Sequence, residues 1–158
     1  MFGRKVSMEE ALRLLNMSAV DELSRAVEAG EIRPGEDSQS GWAFTLGEVM
    51  KLGLSRALRR IGVQADKTGS YAEAVLGQEL FSDEKKLAEW VEHETQELFC
   101  LIADGELARI FLREKDTGKE VDIGAVKPVL FPMTECEVNV FRVIRPVLFN
   151  AVKGDITE

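Results

Sequence analysis

The dipeptide Asp104-Gly105 lies between two apolar runs in "LFCLIADGELARIFLRE". Asp and Gly both tolerate the positive φ of a two-residue hairpin turn, so the stretch predicts two antiparallel strands. A lone hairpin is marginal in water and has to be covered by further strands or helices. "KDTGK", Lys115 to Lys119, reads as another turn, leading into a third strand, "EVDIGAV". Upstream the apolar spacing is helical. Ser70 can cap "YAEAVLGQEL", and Ser82-Asp83 precede "EKKLAEWVEHETQEL", in which Leu87, Trp90 and Val91 share a face. "KPVLFPM" is apolar, and its prolines put it at an edge or outside the sheet. The tail "TECEVNVFRVIRPVLFNAV" admits two readings. Thr134 with Glu137, and Val138, Phe141, Ile144, Leu148 and Val152 at helical spacing, suit a capped helix. The β-branched residues and Pro146 favour a strand up to Arg145 followed by a short terminal element, and that is the expectation taken forward.

Upstream of residue 65 the punctuation is different. Met8, Ala11, Leu12 and Leu15 form one helix face, with Ser7 and Glu10 placed as a capping box and Asn16 suited to a tight turn. Ser18 can cap a second helix, with Val20, Leu23 and Val27 inward and an end near Gly30. In "EIRPGEDSQSGWAF", Pro34-Gly35 and Gly41 bracket a polar tip, the pattern of a short hairpin. Thr45 and Glu48 make a second capping box, opening a helix with Leu46, Met50, Leu54, Ala57, Leu58 and Ile61 on its core side. Together the two halves predict an α+β fold: a helical winged unit, then a small antiparallel sheet with helices.

Charge supports a division. Residues 1–68 hold ten Lys/Arg and ten Asp/Glu, whereas 69–158 hold ten and eighteen and carry the entire net charge of -8. The polar, glycine-containing "GVQADKTGS", Gly62 to Ser70, is the candidate linker between domains at 1–65 and 70–158. With 158 residues and 45% hydrophobic content, one or two small domains can bury a core. No apolar run approaches the roughly 18–20 residues that span a bilayer, so no membrane partner is expected. "MFGRKVSMEEALRLL" is interrupted by charge and does not read as a secretion signal. Cys100 and Cys136 are therefore expected reduced, in a cytoplasmic protein.

Helix, tight turn, helix, small hairpin, helix is the order of a winged helix-turn-helix. Residues 7–63 resemble the DNA-binding domain of the MerR/excisionase group. "EEALRLLNMS" matches the first helix and turn, "AVEAGEIRP" the end of the second helix, and "GWAFTLGEVMKLGLSRALRRIGV" the wing and third helix. The resemblance covers a little over a third of the chain. It implies a transcriptional regulator that sets its second helix in the major groove of double-stranded DNA. The residues it places on DNA are Arg4 and Lys5 on an N-terminal arm, Ser18, Ser24 and Arg25 on the second helix, and Arg33, Gln39 and Trp42 on the wing.

The chain departs from the pattern with Asp21 and Glu22 ahead of Ser24 and Arg25, a second helix one residue longer, and Glu36 and Asp37 at the wing tip. DNA affinity rests largely on neutralised phosphates, which these carboxylates oppose. The alternative expectation is a repurposed helix-turn-helix that binds protein. Arg56, Arg59 and Arg60 on the third helix suit a solvated basic face, and Arg56 and Arg60, one turn apart, suit instead pairing with acidic groups of the second unit.

No catalytic motif is present: a single histidine, His93, no Walker loop and no dinucleotide fingerprint predict neither an enzyme nor a cofactor. Glu89, His93 and Glu97 would share a helix face at metal-compatible spacing. Solvated side chains there, with Cys100 and Cys136 as small buried hydrophobes, are the simpler expectation, and no metal is predicted. The apolar C-terminal stretches suggest a homodimer through Val129, Leu130, Phe131, Val147, Leu148 and Phe149. The same residues would otherwise close the monomer's own core.

Overall fold

The computed structural model describes residues 5–15, 20–37, 41–93, 95–124, 126 and 129–157. The chain begins with strand β1 (Lys5–Ser7) and helices α1 (Met8–Leu14) and α2 (Val20–Glu28), followed by a hairpin, β2 (Gly35–Asp37) and β3 (Gly41–Thr45). Helix α3 (Leu46–Arg60) follows without a break. Ser7 Oγ accepts from the Glu10 amide at 3.2 Å, and Thr45 Oγ1 from the Glu48 amide at 3.2 Å, so both helices start at the expected caps. The Glu48 carboxylate accepts from the Arg33 amide at 3.3 Å, tying the segment after α2 to α3.

Helices α2 and α3 end in the same way. Gly30 and Gly62 adopt φ of 74° and 96°, and the next residues, Glu31 and Val63, return hydrogen bonds to Ala26 and Leu58. This is the Schellman geometry, which glycine makes without a Cβ clash. The sheet order is β1-β3-β2, with Val6 opposite Phe44. Lys5, expected on an N-terminal arm, therefore lies in a strand opposite Thr45.

The expected linker is helical. Helix α4 (Ala65–Leu76) runs through most of it and packs along α3, burying Thr68, Ala72 and Val75. Lys51 of α3 reaches Glu73 of α4 at 2.7 Å. A short 3-10 turn, Glu79–Phe81, leads to α5 (Glu84–His93), whose start is capped by the Asp83 carboxylate accepting from the Lys85 and Lys86 amides.

Strands β4 (Gln96–Ala103), β5 (Glu106–Glu114), β6 (Glu120–Asp122) and β7 (Glu135–Asn139) form an antiparallel sheet of order β6-β5-β4-β7. Asp104 and Gly105 join β4 and β5 with φ of 51° and 79°, the positive pair expected of the hairpin. The third strand is shorter than expected, ending at Asp122.

The tail is corrected more sharply. Strand ends at Asn139, and helix α6 (Val140–Thr157) follows with Pro146 inside it. Asn139 caps the helix by accepting from the Arg142 amide at 3.0 Å. Pro146 is exposed, as is Arg142 one turn before it, so the carbonyl deprived of its helical partner faces water. An interior proline costs about 3 kcal/mol. Against that, α6 buries Val140, Phe141, Ile144, Val147 and Leu148. At about 1.5–3 kcal/mol for each large side chain, burial wins.

The architecture is α+β, with one hydrophobic cluster running from Val6 and Leu23 through α3 and α4 to Leu98, Ile110 and Leu148. Ile61, expected on the core side of α3, is 39% exposed because it sits at the helix's end. Trp90 closes the helix layer against the sheet: its ring meets Phe141 edge-on at 4.4 Å, and its indole N–H donates to Gln96 O at 2.8 Å.

Candidate recognition surfaces

On α2, Leu23 and Ala26 face the core, while Asp21, Glu22, Arg25 and Glu28 are exposed and Ser24 is half-buried. Three carboxylates therefore accompany the one arginine on the displayed face. Behind it, α3 directs Arg56 and Arg59 toward α2 and its flank and leaves Arg60 exposed. Arg56 donates to the Leu15 carbonyl at the end of α1 at 3.3 Å and stands 3.6 Å from Glu22, while Arg59 pairs with Glu31. These contacts ring a cleft of about 320 Å³ between α2 and α3, floored by Ala26, Ala29 and Leu52 and flanked by Arg25. Arg56 and Arg59 thus bond acids of their own unit, not of the C-terminal stretch.

The residues that sequence places on DNA are dispersed. Lys5 is exposed on β1 and Arg25 on α2. Arg33 is also exposed, and its charge acts on Glu73 of α4. The Glu73 carboxyl is held below its ordinary range, chiefly by the hydrogen bond and charge of Lys51. Trp42 pairs with Glu36 in the hairpin ladder. Its side chain, and Arg4, Ser18 and Gln39 altogether, lie outside the described residues.

A second polar surface was not foreseen. On the face of the sheet away from the helices, Phe99 and Phe111 stack at 5.6 Å, 12° from parallel. The Arg109 guanidinium lies 4.2 Å above Phe111, and that of Arg113 lies 4.4 Å above Phe99. Arg109 bonds Asp122 at 2.6 Å and Glu120 at 3.4 Å. Arg113 bonds Glu120 at 2.7 Å and Glu137 at 2.8 Å. The partners move every affected group toward its charged form: Glu137 and Glu120 raise Arg113, Asp122 raises Arg109, and Arg113 lowers Glu120. Such guanidiniums stay charged, so the lattice shields the aromatic pair and provides no proton donor. Its signal lies in the alternation of Arg109, Phe111 and Arg113, visible once β5 is placed.

The proposed metal spacing does not survive the fold. Helix α5 ends at His93, and Glu97 belongs to β4, where it accepts from the Asn139 side chain. Glu89, His93 and Glu97 therefore share no helix face. Among the described residues no group of three His, Cys, Asp or Glu side chains is arranged to hold a metal ion. Cys100 is buried, and burial pushes its thiol up to about 12, leaving an unreactive thiol. Cys136 is exposed on β7, and both are unbridged.

The six residues expected at a dimer contact divide. Val147 and Leu148 are buried in the chain's own core, and Val129 is half-buried. Leu130 and Phe131 are 79% and 95% exposed and are joined by Met133 at 91%. The side chain of Phe149 lies outside the described residues. Among the described residues no helix is long and apolar enough to cross a membrane. No protein-family model matches the chain, and no curated protein matches it.

Proposed function

We propose that this chain is a non-catalytic recognition protein whose α2 and β2–β3 hairpin engage another protein. The observation that carries this reading is electrostatic. The solvent face of α2 holds Asp21, Glu22 and Glu28 against Arg25, and two of the three arginines of α3, Arg56 and Arg59, bond Leu15, Glu22 and Glu31, while Arg60 is exposed. A duplex-binding surface gains affinity by releasing counterions from phosphates, and each carboxylate facing a phosphate subtracts from that gain. A protein with a basic or mixed surface suffers no such penalty. In this reading the chain works in the cytoplasm, where Cys100 and Cys136 remain thiols.

Duplex DNA is the second reading, supported by the sequence resemblance of residues 7–63 to the MerR/excisionase group and by exposed Lys5, Arg25 and Arg33. A regulator of this kind would act as a homodimer, setting two copies of α2 on two half-sites. The experiment is a genome-fragment selection with purified full-length protein at low and moderate salt, followed by anisotropy on the enriched duplexes. The protein reading expects no sequence enrichment and no saturable binding. It also expects Asp21→Lys with Glu28→Lys to create salt-sensitive duplex binding while abolishing capture of the protein partner. Enrichment of a palindromic site, with binding lost in Arg25→Ala, establishes the DNA reading instead.

A further inference from the structure

Among the described residues, strand β7 is an edge of the C-terminal sheet, paired only with β4 in the order β6-β5-β4-β7. Glu135, Cys136 and Glu137 are all exposed. The Thr134 amide donates to Asp104 Oδ1 at 2.9 Å, and its carbonyl accepts from the Asp104 amide at 2.9 Å, so residue 134 turns both backbone groups toward β4. Successive strand residues alternate in this respect, which turns the amides and carbonyls of Glu135 and Glu137 outward. An exposed edge of this kind is a template for one more strand.

The segment entering β7 supplies a second, independent observation. Leu130, Phe131 and Met133 project into solvent with 79%, 95% and 91% exposure, and Phe131 adopts φ of 54°, a left-handed conformation uncommon for a bulky residue. The projection is braced. The Asp104 carboxylate accepts from the amides of Met133 and Thr134 and from the Thr134 hydroxyl, at 2.9–3.2 Å. Three large apolar side chains are thus held out beside the free edge. Acids lie on the adjoining turn and strand: Glu135 on β7 is exposed, while Asp104 holds the bracing bonds, Glu137 bonds Arg113 and Glu106 stands 4.0 Å from Lys67.

We infer that the β7 edge and the Leu130–Met133 projection together take an extended segment of a partner protein, added as a further strand and carrying lysine or arginine at alternate positions next to large apolar residues. Main-chain bonds to residues 135 and 137 provide affinity, Glu135 and the acidic turn beside it select basic side chains, and the projection packs against the apolar ones. A second copy of this chain fits poorly, because antiparallel self-pairing of β7 sets Glu135 and Glu137 against their own counterparts. This site is separate from α2 and does not depend on what α2 binds.

The test uses full-length protein and a labelled eight-residue peptide in which lysines alternate with valines before a terminal Leu-Phe, read by fluorescence anisotropy. Saturable binding is expected, weakened at least about tenfold by Glu135→Pro, which removes an outward amide without touching the β4 ladder. Phe131→Ser should weaken it to a similar degree. An analogue with glutamate in place of lysine should fail to bind. Because Phe131 packs on little of its own chain, that variant retains the test even if Glu135→Pro disturbs the fold. Absence of peptide binding, or binding indifferent to both substitutions, overturns the inference. So does a glutamate analogue that binds equally well. Sedimentation at the same concentrations showing a dimer that both substitutions dissociate overturns the assignment of the partner, since the second copy is then the occupant.

Discussion

Arginines meet carboxylates in two regions of this molecule, and the contacts differ in kind. Between α2 and α3, Arg56 divides its donors between a carbonyl and a carboxylate 3.6 Å away, around an open cleft. On the outer sheet face, Arg109 and Arg113 lie flat on Phe111 and Phe99, each guanidinium fixed by two acids. The second arrangement turns a hydrophobic sheet face into a polar surface by covering the rings. Identical residue types therefore border an open cleft in one place and form a roof in the other, and what separates them is the aromatic support beneath the guanidinium.

The largest expected effect tests that support. Phe111→Ala removes a fully buried ring from under Arg109 and should destabilise the protein by about 3–5 kcal/mol in denaturant melts. Arg113→Ala should cost about 1–2 kcal/mol, because it removes ring cover and two acid contacts together. A cost equal to that of Arg56→Ala would erase the distinction between the regions. Arg56→Ala itself should cost less than about 1 kcal/mol, with little coupling to Glu22→Ala in a double-mutant cycle.

The smallest effect is local and depends on pH. Backbone hydrogen bonds from Thr134 and Met133 hold the Asp104 carboxyl below its ordinary value of 3.8. A lowered folded-state value means that the bracing is complete above that ordinary value and is lost as pH falls through the lower one. Amide resonances of Met133 and Thr134 should shift with a midpoint below 3.8, and Asp104→Asn should remove the titration. A midpoint at or above the ordinary value would mean that the projection is not braced by this carboxylate.

The parts of the fold legible in sequence are those fixed by local chemistry. Ser7, Thr45 and Asp104-Gly105 each work through residues no more than three positions away, and all three appear as expected. The misread parts depend on distant partners. Strand β1 has three residues and exists because Val6 pairs with Phe44. Helix α4 continues through Gly69, against propensity, because it packs on α3. Pro146 is accommodated only because its side of α6 faces water, and a linear pattern does not encode that. The same limit applies to the candidate site. Sequence picked out exposed Arg25, but neither the pairing of Arg56 and Arg59 with acids beside α2 nor the clamp that presents Phe131 has a local signature.

Recognition of protein by α2 and the hairpin, as proposed, is open to test most directly by duplex binding measured against salt. Wild-type protein and an Asp21→Lys, Glu36→Lys, Asp37→Lys variant are titrated into labelled random and genome-selected duplexes by anisotropy, starting at low salt. The account predicts no saturable binding by the wild type. It predicts weak, steeply salt-dependent and sequence-indifferent binding by the variant, because the lysines put phosphate contacts where the native chain has carboxylates. Wild-type binding that prefers selected over random duplex, persists at moderate salt and is lost in Arg25→Ala would contradict it.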